Sequence, residues 1–144
     1  MKLWEWVTLI SVVVAGAAVF ALPHVGRLEG YLFPVMEQMK IVRVFTDRAG
    51  DTRVDSNAVK LRVCSWRRTQ YYLGSYQGGY ITAVHEYSEK DLIRGLGLNE
   101  WFNTKVSLTP DDLLYNSFVI VWHQCPNRPY LTQTLFYQSQ EPKA

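Results

Sequence analysis

The side chains best suited to reaction chemistry in this 144-residue chain are two cysteines and three histidines. A cysteine nucleophile needs an adjacent base and a third group to orient that base. Cys125 lies two residues from His123, a spacing that puts both on one face of a strand. Neither Cys64 nor Cys125 has a sequence neighbourhood that supplies the orienting group. Zinc needs four close ligands at recognisable spacing. His85, Glu86, His123 and the cysteines do not have that spacing, so no metal and no cofactor is expected. In an oxidising compartment Cys64 and Cys125 form one disulfide; in a reducing one they stay core thiols. Closing a loop of 61 residues stabilises by about 4 kcal/mol in the chain-entropy account. Asp47, Asp51 and Asp55 lack the alternating acids, glycine and distal glutamate of a calcium loop, and read as turn residues. No glycine-rich loop follows a strand and opens a helix, so phosphate cradling is not expected. The enzymatic alternative is a small exported hydrolase that uses His85, His123 and nearby acids.

The stronger cluster is aromatic and cationic: Trp66, Arg67, Arg68, Tyr71 and Tyr72, with Tyr76 and Tyr80 beyond. Aromatics interleaved with arginine stack on partner side chains and anchor interfaces. The same residues also serve as core and as its snorkelling rim. Nucleic acid is not an expected partner. Lys plus Arg number 15 against 13 Asp plus Glu, a formal charge of +2, far from the basic balance such binders carry.

These groups must be positioned by the elements around them. Trp6 to Leu22 is an uncharged run in which only Thr8 and Ser11 are polar. As a helix it covers about 25 Å, near the short limit for a ~30 Å hydrocarbon core. Trp4 and Trp6 sit where interfacial indoles belong. Residues 1–23 are therefore read as a membrane anchor, with a cleaved signal peptide as the alternative, since Val19-Phe20-Ala21 has a cleavage-site pattern. Lys2 on one flank and Arg27, Lys40 and Arg43 on the other nearly balance the positive-inside rule. The short N-terminal approach favours export of the long C-terminal part, to the periplasm or the cell exterior. The bilayer, through residues 4–22, is thus the first expected partner, with a protein partner or a second copy of the chain next.

Residues 24–39 read as a connector, because Pro23, Gly26, Gly30 and Pro34 interrupt helix. Residues 40–138 read as a β-domain and 139–144 as a loose polar tail. Strands are expected at 41–46, 59–63, 71–73, 80–87, 118–122 and 130–137 from β-branched and aromatic content and alternation. Residues 71–87 read as a hairpin around Gly74, Gly78 and Gly79. Short helical turns are expected after Ser88, carrying Leu92, Ile93 and Leu96, and after Thr109, where Pro110 and two aspartates follow the cap. The fold class is mainly β: a transmembrane helix, then a small antiparallel β-sandwich-like domain with one or two helical turns.

Leu3, Glu5 and Ala21-Leu22-Pro23 resemble the membrane helix of type IV pilins, which carries Glu at its fifth mature position and Ala-Leu-Pro near its end. The resemblance covers residues 1–23 and its spacing departs by one residue, while Lys2 and Trp4 are atypical; it implies assembly through the helix. The β-region is similar to short anchored proteins encoded in phages and prophages. The residues that carry this are Cys64, Tyr72-Leu73-Gly74, Phe118 through His123 to Cys125, and Thr134-Leu135-Phe136-Tyr137. That resemblance implies an envelope setting and brings no chemistry. The functional expectation is an exported, membrane-anchored binding or assembly module and not a catalyst. The alternatives are the hydrolase and a pilin-like or phage-encoded envelope subunit.

Overall fold

The computed structural model describes residues 2–86 and 94–140. The first element is a 30-residue helix, α1 (Leu3–Leu32). At ~1.5 Å per residue it is about 45 Å long. Glu5 accepts the backbone N–H of Lys2 at 2.8 Å, which closes the first turn. The Thr8 and Ser11 hydroxyls donate to the carbonyls of Trp4 and Val7, so neither polar group is left unsatisfied in an apolar surrounding. Its most apolar stretch has a mean hydropathy of 2.2, and none of it is buried against the other described residues. By length and composition the helix is able to cross a membrane or to act as a signal anchor.

The helix does not stop at Pro23, as its sequence predicts; it runs on through nine residues of the expected connector. Packing overrides the local signal. Gly26 and Gly30, one turn apart, are the buried residues of α1, and each lies directly on β8 (Leu131–Gln138). A Cβ at Gly26 would overlap the Leu131 carbonyl, and one at Gly30 the Gln133 carbonyl. Between them Glu29 receives Arg62 at 2.6 Å and Arg128 at 3.4 Å. The helix therefore covers the edge of a sheet that would otherwise present unpaired carbonyls.

The remaining described residues form two antiparallel sheets of four strands. One sheet contains β1 (Lys40–Thr46), β2 (Thr52–Lys60), β6 (Gly97–Val106) and β5 (His85–Glu86), in the order β1-β2-β6-β5. The other contains β4 (Tyr80–Ala83), β3 (Ser65–Gly74), β7 (Ser117–Gln124) and β8, in the order β4-β3-β7-β8. The core lies between them. Val54, Ala58 and Val106 face Tyr71, Val119, Val121 and Phe136, and Trp101 meets Phe136 edge to face at 5.7 Å. Strands β4 and β5 are one run of chain that changes sheet at Val84, whose N–H and C=O are both held by Ser107. On the opposite side Val35–Met39 bridges the layers: Glu37 bonds Val59, and Met39 bonds Phe136. The mainly β, sandwich-like architecture behind an apolar helix is as the sequence predicts.

Details differ. Strand β2 begins at Thr52, because its polar residues are paired: buried Asp55 accepts from Arg43 at 2.7 Å and from the Asn103 N–H at 2.9 Å. Leu61 to Val63 lie beyond it. The ten-residue β6 has no counterpart among the expected strands. The turn after Thr109 is α2 (Pro110–Tyr115), with the Thr109 hydroxyl accepting the Asp112 N–H. Leu92 and Ile93 of the turn expected after Ser88 lie outside the described residues, and Leu96 precedes β6. Residues 141–144 of the expected tail are also outside them, whereas Ser139 is bonded to Ser117.

Candidate functional site

Cys64 and Cys125 are joined by a disulfide. Cys64 precedes β3 and Cys125 follows β7, and these strands pair from Ser65 opposite Gln124 onward. The bond closes the end of that ladder, so its role is structural.

Strand β3 distributes the aromatic and cationic cluster over two faces. A register shift between Trp66 and Arg68 breaks simple alternation. Trp66 packs against the core and donates its indole N–H to the Thr69 hydroxyl at 2.8 Å. Tyr71 is 2% exposed within the core. Arg67 is exposed at the irregularity. On the outer face, the Arg68 guanidinium lies 4.0 Å over the Trp122 ring. Tyr72 stacks on Phe118 at 4.8 Å, and Tyr76 and Tyr80 meet the same ring edge-on at 5.4 and 5.2 Å. Burial raises the Tyr72 hydroxyl above its ordinary pKa. Of the seven residues, Arg68, Tyr72, Tyr76 and Tyr80 thus form one outer surface of the β4-β3-β7-β8 sheet, whereas Trp66 and Tyr71 belong to the interior. Phe118 and Trp122, the rings that organise this surface, were legible only as an apolar strand.

The histidines are not brought together. His85 packs on Tyr71 at 5.0 Å between ring centres, and Tyr71 is opposite Val119 in register. His123 lies four residues further along β7, which is about 13 Å at ~3.3 Å per residue. His123 is 1% exposed, and its imidazole is pushed down to about 4 by burial, reinforced by the charges of Lys60 and Arg62. Among the described residues its Nδ1 has no hydrogen-bond partner. Among the described residues no three His, Cys, Asp or Glu side chains gather as metal ligands. The three aspartates weighed as a cation loop are each paired with a base: Asp47 with Arg53, Asp51 with Lys105, Asp55 with Arg43. Asp47 also accepts the N–H groups of Ala49 and Asp51, so it shapes a turn; Asp55 stands inside a strand.

Sequence reasoning missed the joint between helix and domain. Its signal was the Gly26-x-x-x-Gly30 spacing around Glu29, which marks close backbone approach. Lys60, in the run 59–63 whose alternation of apolar and basic residues is that of a half-buried strand, ends β2 nearly buried. No protein-family profile, curated protein or solved structure matches this chain, so its fold and surfaces alone carry the functional reading.

Proposed function

We propose that this chain is a single-pass membrane protein that presents its β-domain outside the cytoplasm as a binding or assembly module. The observation that carries the reading is the undivided α1. Its uncovered apolar stretch and the turns clasped on β8 belong to one helix, with no linker between membrane and domain. Such a rod transmits position and load without a hinge, which suits a subunit better than a tethered enzyme. The disulfide supports placement on an oxidising side of the membrane. Trp4 and Trp6 belong at the interface that the helix enters. The outer surface of Arg68, Tyr72, Tyr76 and Tyr80 is the partner-facing patch in this reading, since aromatic and arginine side chains dominate interface energetics.

The pilin-like version is favoured by the same helix, in which two pairs of small residues, Ser11 with Ala15 and Ala17 with Ala21, have four-residue spacing and permit close helix packing. Photo-crosslinkers placed at Val13 and at Tyr80 in native membranes test both levels. Protein adducts of fixed size from either position support a module that works by association. A second copy captured from Val13 specifies assembly through the helix. Lipid adducts alone from Val13, together with no adduct from Tyr80, contradict the proposal.

A further inference from the structure

Among the described residues Lys60 has no carboxylate partner. It is 8% exposed at the end of β2, and its ammonium donates to the Arg94 carbonyl at 2.8 Å. Among the described residues no acid pairs with it, and burial alone lowers its pKa. Buried lysines are almost always paired, because an isolated ammonium out of water is costly. Lys60 lines a chamber between the sheets together with Trp66, Thr69, Trp101 and His123, whose Nδ1 is the orphaned atom already noted. The chamber is about 20 Å³, room for one water. It shares Lys60, Trp66 and Arg94 with an open cleft of about 570 Å³, whose rim includes Val63, Pro126 and the disulfide. A nearly buried cation thus stands at the floor of an accessible, largely apolar cleft, and the adjoining chamber is lined by a buried imidazole whose Nδ1 has no hydrogen-bond partner among the described residues.

We propose that this end of the sandwich binds a carboxylate carried on an apolar body. Lys60 is its charge partner, and His123 is a second polar group within reach of it through one water, for which the chamber has room. The Lys60 ammonium and the Arg94 guanidinium both line the cleft, which makes it a site for an anion. Inorganic phosphate is strongly hydrated and would leave the apolar walls unused. The walls of Trp66, Val63 and Pro126 instead suit the hydrocarbon part of an organic acid. The same chemistry is offered by a free small acid and by the C-terminal carboxylate of a polypeptide.

The test uses the full chain in detergent micelles with ¹⁵N-labelled histidine, where His24 and His85 serve as internal references for His123. Benzoate is expected to shift the His123 ring nitrogens in a saturable way, and benzamide and inorganic phosphate are expected not to. Lys60→Met is expected to weaken benzoate at least about tenfold, the scale of a hydrogen bond to a charged group. A short peptide ending in phenylalanine with a free carboxylate distinguishes the source: binding tighter than benzoate, lost on amidation, assigns a polypeptide end, and weaker binding assigns a small acid. If benzamide matches benzoate, or if no acid moves His123, the chamber holds water only and the proposal fails. The comparison of benzoate with benzamide on the unaltered chain decides the matter even if the Lys60 variant does not fold.

Discussion

Replacing Gly30 by alanine is the sharpest perturbation of the joint between helix and domain. The added Cβ overlaps the Gln133 carbonyl oxygen and stands 2.6 Å from its carbon, where ordinary contact begins near 3.4 Å. Both partners are backbone, so no side-chain rotation relieves the clash and α1 must lift from β8. Overpacking of this kind costs about 1–3 kcal/mol, and two rigid partners place it at the upper end. Alanine returns up to about 1 kcal/mol through helix propensity. The net loss is about 2 kcal/mol. At ~4 °C per kcal/mol for a domain of this size, the melting midpoint falls by about 8 °C. The lifted helix also withdraws Glu29 from Arg62 and Arg128. Circular dichroism melting in detergent reads the midpoint, and hydrogen exchange along β8 reads the exposed edge. Gly16→Ala is the control, since a Cβ there meets nothing within 4 Å. An unchanged or raised midpoint for Gly30→Ala, matching Gly16→Ala, refutes the docked helix.

Three further outcomes are expected. Cys64→Ser with Cys125→Ser removes the cross-link and lowers stability by about 4 kcal/mol in the chain-entropy account; urea unfolding with and without reductant checks this, and a reductant-insensitive wild type contradicts it. His123 titrates near 4 in the fold and near 6.5 when unfolded, so between these values the unfolded chain binds the extra proton and acid favours unfolding. Stability is full above pH ~6.5 and falls by up to about 3 kcal/mol toward pH 4; His123→Leu should flatten that dependence in urea midpoints compared at pH 7.5 and 4.5. Arg68→Ala removes the cation over Trp122 at a cost of about 0.5–1 kcal/mol, with a change in tryptophan emission but little change in the fold, and unaltered emission counts against the contact.

The sequence disclosed the helix, the two-layer β class and the cysteine pair because each has a local signature: an unbroken apolar run, alternation, and two thiols at strand ends. Strand β7 was legible as a continuous apolar run, because both of its faces are covered. The second half of α1 was not legible. Pro23 and two glycines spell a stop locally, and only the edge of β8 explains why glycine is needed there. Strands β2 and β6 were obscured by polar residues that are satisfied by distant partners, as Asp55 is by Arg43 and Asn103. The hairpin over 71–87 was half right: β3 and β4 pair, but the chain then crosses to the other sheet at Val84, a change that residue types do not encode. The aromatic cluster was legible in composition, while the irregularity at Arg67 decided which rings face outward. His123 and Lys60, remote in sequence, meet only through the packing of one sheet on the other.

The proposed function requires an uncut helix that carries an oxidised domain beyond the cytoplasmic membrane. The most direct test is the intact mass of the protein taken from membranes, alkylated without prior reduction. A full-length chain near 16.7 kDa with no alkyl group is the predicted result. Loss of about the first 21 residues removes the anchor, and a full-length chain with two alkylated thiols places the domain in a reducing compartment; either one contradicts the account.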